Sequence, residues 1–384
     1  MSQIIVLGAG MVGSAMARDL VQQYDVCVAD VDKLLLKRLK QKSPSLSTLQ
    51  LDFTDTESLR AELAPYDLVI CAVPGHMGFE TLKAVISAGK NVVDISFAEE
   101  NCLDLDYLAR KHEVTAVFDC GVAPGMDNLL LGFHNSRMQV THFECLVGGL
   151  PRVRKKPFEY KAPFSPIDVI EEYVRPARFM SHGRIVTREA LSDREYLDFD
   201  QVGTLEAFNT DGLRSLMQTM NHIPNMKEKT LRYPGHVDII RALRDSGFLS
   251  TAPIEIKGLN IPPIEMTSKI LINDWKLGAR EEEFTLMRVT ISGDENGRQK
   301  KYVYNLYDEY DPITHTSSMA RTTGYTATAV ANLILRGKFN KHGVFAPESL
   351  GAHADCCKFV LGYLEERKVY YKREECQIED NNQG

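Results

Sequence analysis

Near the N-terminus, Gly8-Ala9-Gly10-Met11-Val12-Gly13 spaces its glycines as G-x-G-x-x-G. Such a run lets backbone N–H groups approach an anion at the start of a helix, whose dipole adds to the attraction. The flanking residues agree with that chemistry. Ile4-Ile5-Val6-Leu7 reads as a buried strand, residues 14–24 as a helix, and Val26-Cys27-Val28-Ala29 as a second strand ending at Asp30. A carboxylate there accepts hydrogen bonds from ribose hydroxyls, so Gly8, Gly10, Met11, Val12, Gly13 and Asp30 are expected to hold a dinucleotide. Because Val31-Asp32 follows in place of an arginine or serine that would greet a 2′-phosphate, that dinucleotide is expected to be NAD.

A second group of residues could move protons and hold charges. Asp119 and Asp127 bracket Cys120-Gly121-Val122-Ala123-Pro124-Gly125, a non-helical crossing. Oxidation of an amine needs a group that takes the ammonium proton before hydride leaves the neighbouring carbon, and a carboxylate can also hold the ammonium until then. Either aspartate could act so; equally, Asp127 could cap the following helix and Asp119 could bond backbone. His236, beside Gly235 at a helix start, could shuttle a proton near neutrality or simply bond nearby backbone. Arg232 carries a planar fork that matches a carboxylate, or it could pair with an acid such as Glu172. Arg175, extended before Pro176, is the second candidate clamp. Lys161 could meet substrate if desolvation lowered its pKa, or it could be an ordinary solvated lysine. Gly121, Tyr160, Lys161, Glu172, Arg175 and Arg232 make up the expected substrate side.

Alternating strand and helix signals must position these groups. Strands are expected at residues 48–51, 68–73, 91–95 and 114–118, with helices at 55–63 and 78–88. That pattern predicts an α/β fold with a doubly wound, parallel Rossmann-type sheet, which binds ligands at the carboxyl ends of its strands. Asp52, Phe53, Val73, Pro74, Asp94 and Ile95 stand at those ends and join the cofactor set, and His76 is placed to hang over the nicotinamide ribose. The pattern changes after Asp119. A helix at 126–135 precedes longer alternating strands at 140–147, 184–190, 284–292 and 301–306, the last two joined by a hairpin turn at 293–297. These predict a second, α+β domain with a mixed, largely antiparallel sheet. Residues 249–265, with three prolines, read as loop or cover; 318–336 as a helix of small residues able to pack closely; and 374–384 as a polar, frayed tail.

With 384 residues, two domains can each bury a core. A formal charge of −7 argues against nucleic acid or an anionic membrane as partner. No apolar stretch approaches the length of a membrane span, and Met1-Ser2-Gln3 offers no basic start for a signal peptide, so the expected location is cytoplasmic. The eight cysteines contain no C-x-x-C pair and read as reduced packing residues. The ten histidines do not cluster at ligand spacing, and no metal site is expected.

The N-terminal fingerprint, Gly121-Val122-Ala123-Pro124-Gly125-Met126-Asp127-Asn128, Val147-Gly148-Gly149-Leu150-Pro151 and Leu231-Arg232-Tyr233-Pro234-Gly235-His236 together resemble the saccharopine dehydrogenase/reductase superfamily. Pro157-Phe158-Glu159-Tyr160-Lys161, Glu172-Tyr173-Val174-Arg175-Pro176-Ala177 and Gly203-Thr204-Leu205-Glu206-Ala207-Phe208 are most similar to its L-lysine 6-dehydrogenase branch. The resemblance implies an NAD-dependent enzyme that oxidises the side-chain amine of L-lysine or a similar amino acid, giving a semialdehyde that cyclises. It also implies a homodimeric second domain and C-terminal helices that return to the first. The expected division is therefore 1–125 for dinucleotide binding, 126–318 for substrate binding and dimerisation, and 319–384 for the returning helices. Saccharopine-reducing members carry an acid before the Pro-Gly of the crossing; here Ala123 stands there, which argues against saccharopine itself. The alternatives are a saccharopine- or opine-type secondary-amine oxidoreductase and a non-catalytic NADH sensor. The Glu-Tyr-Lys, Glu-Tyr-Val-Arg and Arg-Tyr-Pro-Gly-His clusters favour an enzyme.

Overall fold

A computed structural model describes residues 1–278 and 280–377. Gln3–Leu7, Asp25–Asp30, Ser47–Gln50, Leu68–Cys71, Asn91–Asp94 and Thr115–Val117 pair in parallel, and Gly343–Phe345 adds a seventh strand beside Thr115–Val117. Most are short apolar runs buried on both faces, as a sheet covered by helices on each side requires. Gln3–Leu7 lies between Asp25–Asp30 and Leu68–Cys71. The strand order therefore reverses at Gln3–Leu7, and a crevice opens at the carboxyl ends.

Among the described residues the second sheet has nine strands. Gln139–Pro151 runs through it, antiparallel to Glu283–Glu295 and parallel to Asn225–Arg232. Glu283–Glu295 and Arg298–Glu309 form the expected hairpin. Alternation along these strands gives the sheet two faces. Cys145, Val147, Met226 and Met287 join the core shared with the first domain, while Leu146, Leu150, Leu231 and Leu286 pack with Tyr173 and Trp275.

Several segments depart from the sequence expectation. The first helix runs Met11–Leu20 and starts within the glycine run, because Gly10 takes the extended N-cap conformation. Residues 249–265 are more than loop: they hold the hairpin Ile254–Ile256 with Leu259–Ile261, and the start of helix Pro263–Trp275. Proline begins that helix at no cost, since a first-turn N–H has no intrahelical partner to lose. The tail is not frayed through 377. Tyr371–Gln377 pairs antiparallel with Arg298–Glu309, so this part of the chain joins the second sheet, and residues 378–384 lie outside the described residues.

Helix Ser318–Leu335 packs against Met11–Leu20. Buried Asp19 fastens them, accepting from Thr328 Oγ1 and Tyr363 Oη at 2.6 Å and from Arg367 Nε at 2.7 Å. A charge bonded on three sides is tolerated in the interior where a bare one is not. Seven of the eight cysteines are buried and all are free, which makes them apolar packing groups. No helix among the described residues is long and apolar enough to cross a membrane.

Candidate active site

One continuous cavity of about 1230 Å³ runs from the glycine run to Asn225–Arg232. Gly8, Gly10, Met11, Val12, Gly13 and Asp30 line its first end. At Gly13 a Cβ would fall 2.0 Å from the Gly8 carbonyl oxygen, so only glycine lets helix and turn meet. At Gly10 nothing lies within 4 Å of an added Cβ, which leaves the backbone open to a ligand. Asp30 braces the turn, accepting from Ala9 N–H at 2.7 Å and from Asp32 N–H at 2.8 Å. Open amides at a helix start and a carboxylate at the strand end fit a dinucleotide's pyrophosphate and ribose. Arg38 and Lys42, which the sequence reading did not single out, line the same end.

Phe53, Val73, Pro74 and Ile95 continue the wall. Asp52 joins them, its carboxyl held below the usual range by hydrogen bonds from the Thr54 hydroxyl and N–H. Two expected cofactor residues lie elsewhere. His76 is exposed outside the wall, because helix Gly75–Ser87 begins at the preceding residue and Met77 takes the lining position. Asp94 is buried behind the wall, where its carboxyl accepts from Ser96 Oγ at 2.8 Å and burial pushes its pKa up to about 7. Ser96 lines the cavity in its place.

At the other end, ionisable side chains form the lining, among them Asp119, Glu172, Arg175, Asp211, Glu228 and Arg232. Asp119, held at φ +52°, accepts from Arg214 Nε at 2.7 Å. Arg214 also donates to the Ala98 carbonyl and stacks over the Phe97 ring, so the pair is fixed from both sides. Gly121 lines the cavity from the crossing. Asp127 does not line it. Its Oδ1 accepts from Gly125 N–H at 2.9 Å at the helix start, its Oδ2 is buried without a partner, and burial pushes its pKa up to about 7.

His236 also stands away from the cavity. Its Nδ1 donates to the Phe158 carbonyl and its Nε2 accepts from Tyr173 Oη, both at 2.9 Å. Burial, with Arg232 nearby, pushes its pKa down to about 3, so at neutral pH it is an uncharged support rather than a proton shuttle. Arg232 completes that network. Its Nε donates to Tyr173 Oη at 3.0 Å, one terminal nitrogen to the Leu231 carbonyl at 2.9 Å, and the other to Glu172 at 3.1 Å. Of the two readings left open for Arg232, the structure displays the ion pair with Glu172. Tyr160 lies under the Arg232 guanidinium and off the wall, and Lys161 donates to the Asp274 carbonyl, also off the wall. Arg175 differs from Arg232. Its nearest carboxylate oxygen, on Glu171, is 3.9 Å away, and its guanidinium makes no hydrogen bond among the described residues.

Glu228 was missed in the sequence. The signal was alternation: Met226, Glu228, Thr230 and Arg232 share one face of Asn225–Arg232, and the last three line the cavity. Glu228 presses on Gly212, where a Cβ would fall 1.9 Å from Oε1, and its Oε2 is buried without a partner. Donor atoms of Asp127, Cys145 and Glu228 lie within 4.8 Å of one another.

Residues 4–117 match the saccharopine dehydrogenase NADP binding domain, and residues 121–369 the saccharopine dehydrogenase C-terminal domain. The Pyricularia oryzae saccharopine dehydrogenase (NADP(+), L-glutamate-forming) is 26% identical over 284 residues, covering 70% of this chain and 62% of that protein. Its Saccharomyces cerevisiae counterpart is 26% identical over 268 residues, covering 66% and 60%. This chain thus spans roughly three fifths of the length of these relatives. Carboxynorspermidine synthase of Vibrio alginolyticus is 21% identical over 388 residues, covering 90% of this chain and 92% of that protein. The apo saccharopine dehydrogenase (L-Glu forming) structure from S. cerevisiae aligns with a TM-score of 0.78 at 20% identity, covering 98% of this chain and 100% of that one, and so shares the fold.

Proposed function

The chain belongs to the saccharopine dehydrogenase family, and on that premise we propose that it oxidises a carbon–nitrogen bond of an amino acid with NAD. The substrate we infer is L-lysine or a similar amino acid, oxidised at its side-chain amine to a semialdehyde that cyclises. One observation carries this reading: among the described residues the substrate end offers one guanidinium that makes no hydrogen bond, Arg175, and one unpaired carboxylate, Glu228. Arg175 suits one α-carboxylate, since a planar fork bonds two oxygens at once. Asp119, Glu172 and Asp211 are paired to Arg214, Arg232 and Arg178, which leaves Glu228 on the wall to suit a cationic amine. When bound at the glycine run, NAD supplies the hydride acceptor. Asp30 supports NAD, whereas the P. oryzae and S. cerevisiae relatives are named for NADP(+).

The relatives' names favour a second reading, oxidation of a secondary amine such as saccharopine. Saccharopine brings three carboxylates, however, and Arg232 is already neutralised by Glu172. NADH formation, followed by absorbance with L-lysine, cadaverine and saccharopine offered separately, decides between them. The lysine reading requires L-lysine to give the highest kcat/KM. A preference for saccharopine transfers the activity to the secondary amine, and no turnover with any of them overturns amine oxidation.

A further inference from the structure

We propose that Glu228, backed by Asp127, is the base that takes the proton from the substrate ammonium, an inference resting on the reading of this cavity as an amine-oxidising site. The argument is first one of place. Asp119, the other carboxylate considered for this step, is committed to Arg214. Asp127 is off the wall. Glu228 lines the wall and its carboxylate makes no hydrogen bond or ion pair among the described residues, which leaves it available to a substrate N–H. It shares its strand face with Arg232, four residues on and about 13 Å away at the usual strand rise. Glu172, paired to Arg232, marks that end of the row, and Arg175 acts on the same carboxylate. An amino acid held by its carboxylate at Arg175 extends its side chain along the row toward Glu228.

Charge supports the assignment. Burial, then Asp127 from helix Met126–Asn135, Glu172 from helix Pro166–Val174 and Asp211 from the loop beyond Gly203–Asn209 all raise the proton affinity of Glu228 well above that of an ordinary carboxylate. Arg214 opposes them, and Cys145 packs alongside as a thiol kept neutral by burial. Two carboxyls this close titrate as a pair, and with both ionised the pair binds its first proton more tightly than a lone carboxylate does. Such a pair can draw a proton from an ammonium that a free carboxylate would leave in place.

The step balances. An ammonium N–H bond breaks and its proton moves to a Glu228 oxygen. Hydride then leaves the adjacent carbon with its electron pair for NAD, and a carbon–nitrogen double bond forms. Water adds to that carbon, the nitrogen departs as ammonium to leave the aldehyde, and the Glu228 proton passes to solvent.

Glu228→Gln keeps the shape against Gly212 and removes the base. Expected are a loss in kcat of about a hundredfold or more and disappearance of the acidic fall in the kcat/KM profile, with NADH binding by fluorescence unchanged. Asp127→Asn should shift that acidic fall to lower pH, because a like charge is gone; a merely structural role would leave it in place. Should the Gln variant not fold, Glu228→Asp carries the test, with reduced kcat and the acidic fall retained. A folded Gln variant with the wild-type profile overturns the role of Glu228 while leaving amine oxidation intact. Stoichiometric metal in the purified protein, lost in the Gln variant, would reassign the cluster and overturn the proposal. Wild-type enzyme idle toward both lysine and saccharopine overturns the amine reading itself, a result separable from the others.

Discussion

At the dinucleotide end of the cavity the contacts on offer are mostly backbone, from one contiguous turn braced by Asp30. At the substrate end they are ionisable side chains drawn from the crossing, helix Pro166–Val174 and its C-cap, the loop around Asp211 and strand Asn225–Arg232. A backbone site is specified by where glycine stands, and side-chain changes nearby leave it usable. A side-chain site depends on each partner holding the next. The second end therefore divides its charged groups into those that hold one another and those left for a ligand, and Arg232 and Arg175 fall on opposite sides of that division.

Arg232→Ala is expected to have the largest effect, and it should be on stability. The change strips Glu172, Tyr173 and Tyr160 of one buried cation; breaking a buried pair in this way costs roughly 3–5 kcal/mol. A clear fall in the denaturant midpoint is expected. Arg232→Lys should rescue little, since one ammonium cannot reach the three directions that the guanidinium serves. A variant of wild-type stability would erase the distinction between the two arginines. Arg175→Ala should leave the midpoint nearly unchanged and cost about a hundredfold in kcat/KM for L-lysine, close to 3 kcal/mol. Cadaverine has no carboxylate, so its kcat/KM should hardly move. Equal losses with both would show that Arg175 supports the wall rather than the substrate.

The same contrast explains what the sequence made legible. The glycine run, the strand before it and Asp30 lie within about thirty residues, and local spacing is enough to read them. The parallel sheet followed from alternating strand and helix signals for the same reason. The edge strand Gly343–Phe345 did not, because a three-residue strand reaching its partner from over two hundred residues away has no local signature. At the substrate end, residue types were readable and partners were not. Asp127 and His236 have the chemistry of proton carriers, yet cap geometry turns one away and two hydrogen bonds enclose the other. Lys161 found a carbonyl of helix Pro263–Trp275, an element hidden by its prolines. Glu228 is legible only as one member of the alternating strand Asn225–Arg232, whose mixed Lys, Glu and Thr positions carry no clear strand signal.

The smallest effect concerns cofactor choice, where the backbone end does depend on one side chain. Asp30 spends a lone pair of one oxygen on the glycine turn, from Ala9 N–H, and one of the other on Asp32 N–H beyond its own strand, and retains others for ribose hydroxyls. A 2′-phosphate would meet that carboxylate at close range and be repelled. NAD should therefore exceed NADP by at least about tenfold in kcat/KM, roughly 1.4 kcal/mol. Arg38 lines the same end and could pair with a phosphate once the carboxylate is gone. Asp30→Ser should then lower the NAD-to-NADP ratio by about tenfold, while the lost brace weakens binding of both dinucleotides alike. Ratio and absolute affinity thus report two different jobs of one residue. Adding Arg38→Ala should remove the gain with NADP and spare NAD. Equal use of both dinucleotides by the wild type would mean that Arg38, not Asp30, governs this end, and that even the backbone site is decided by its side chains.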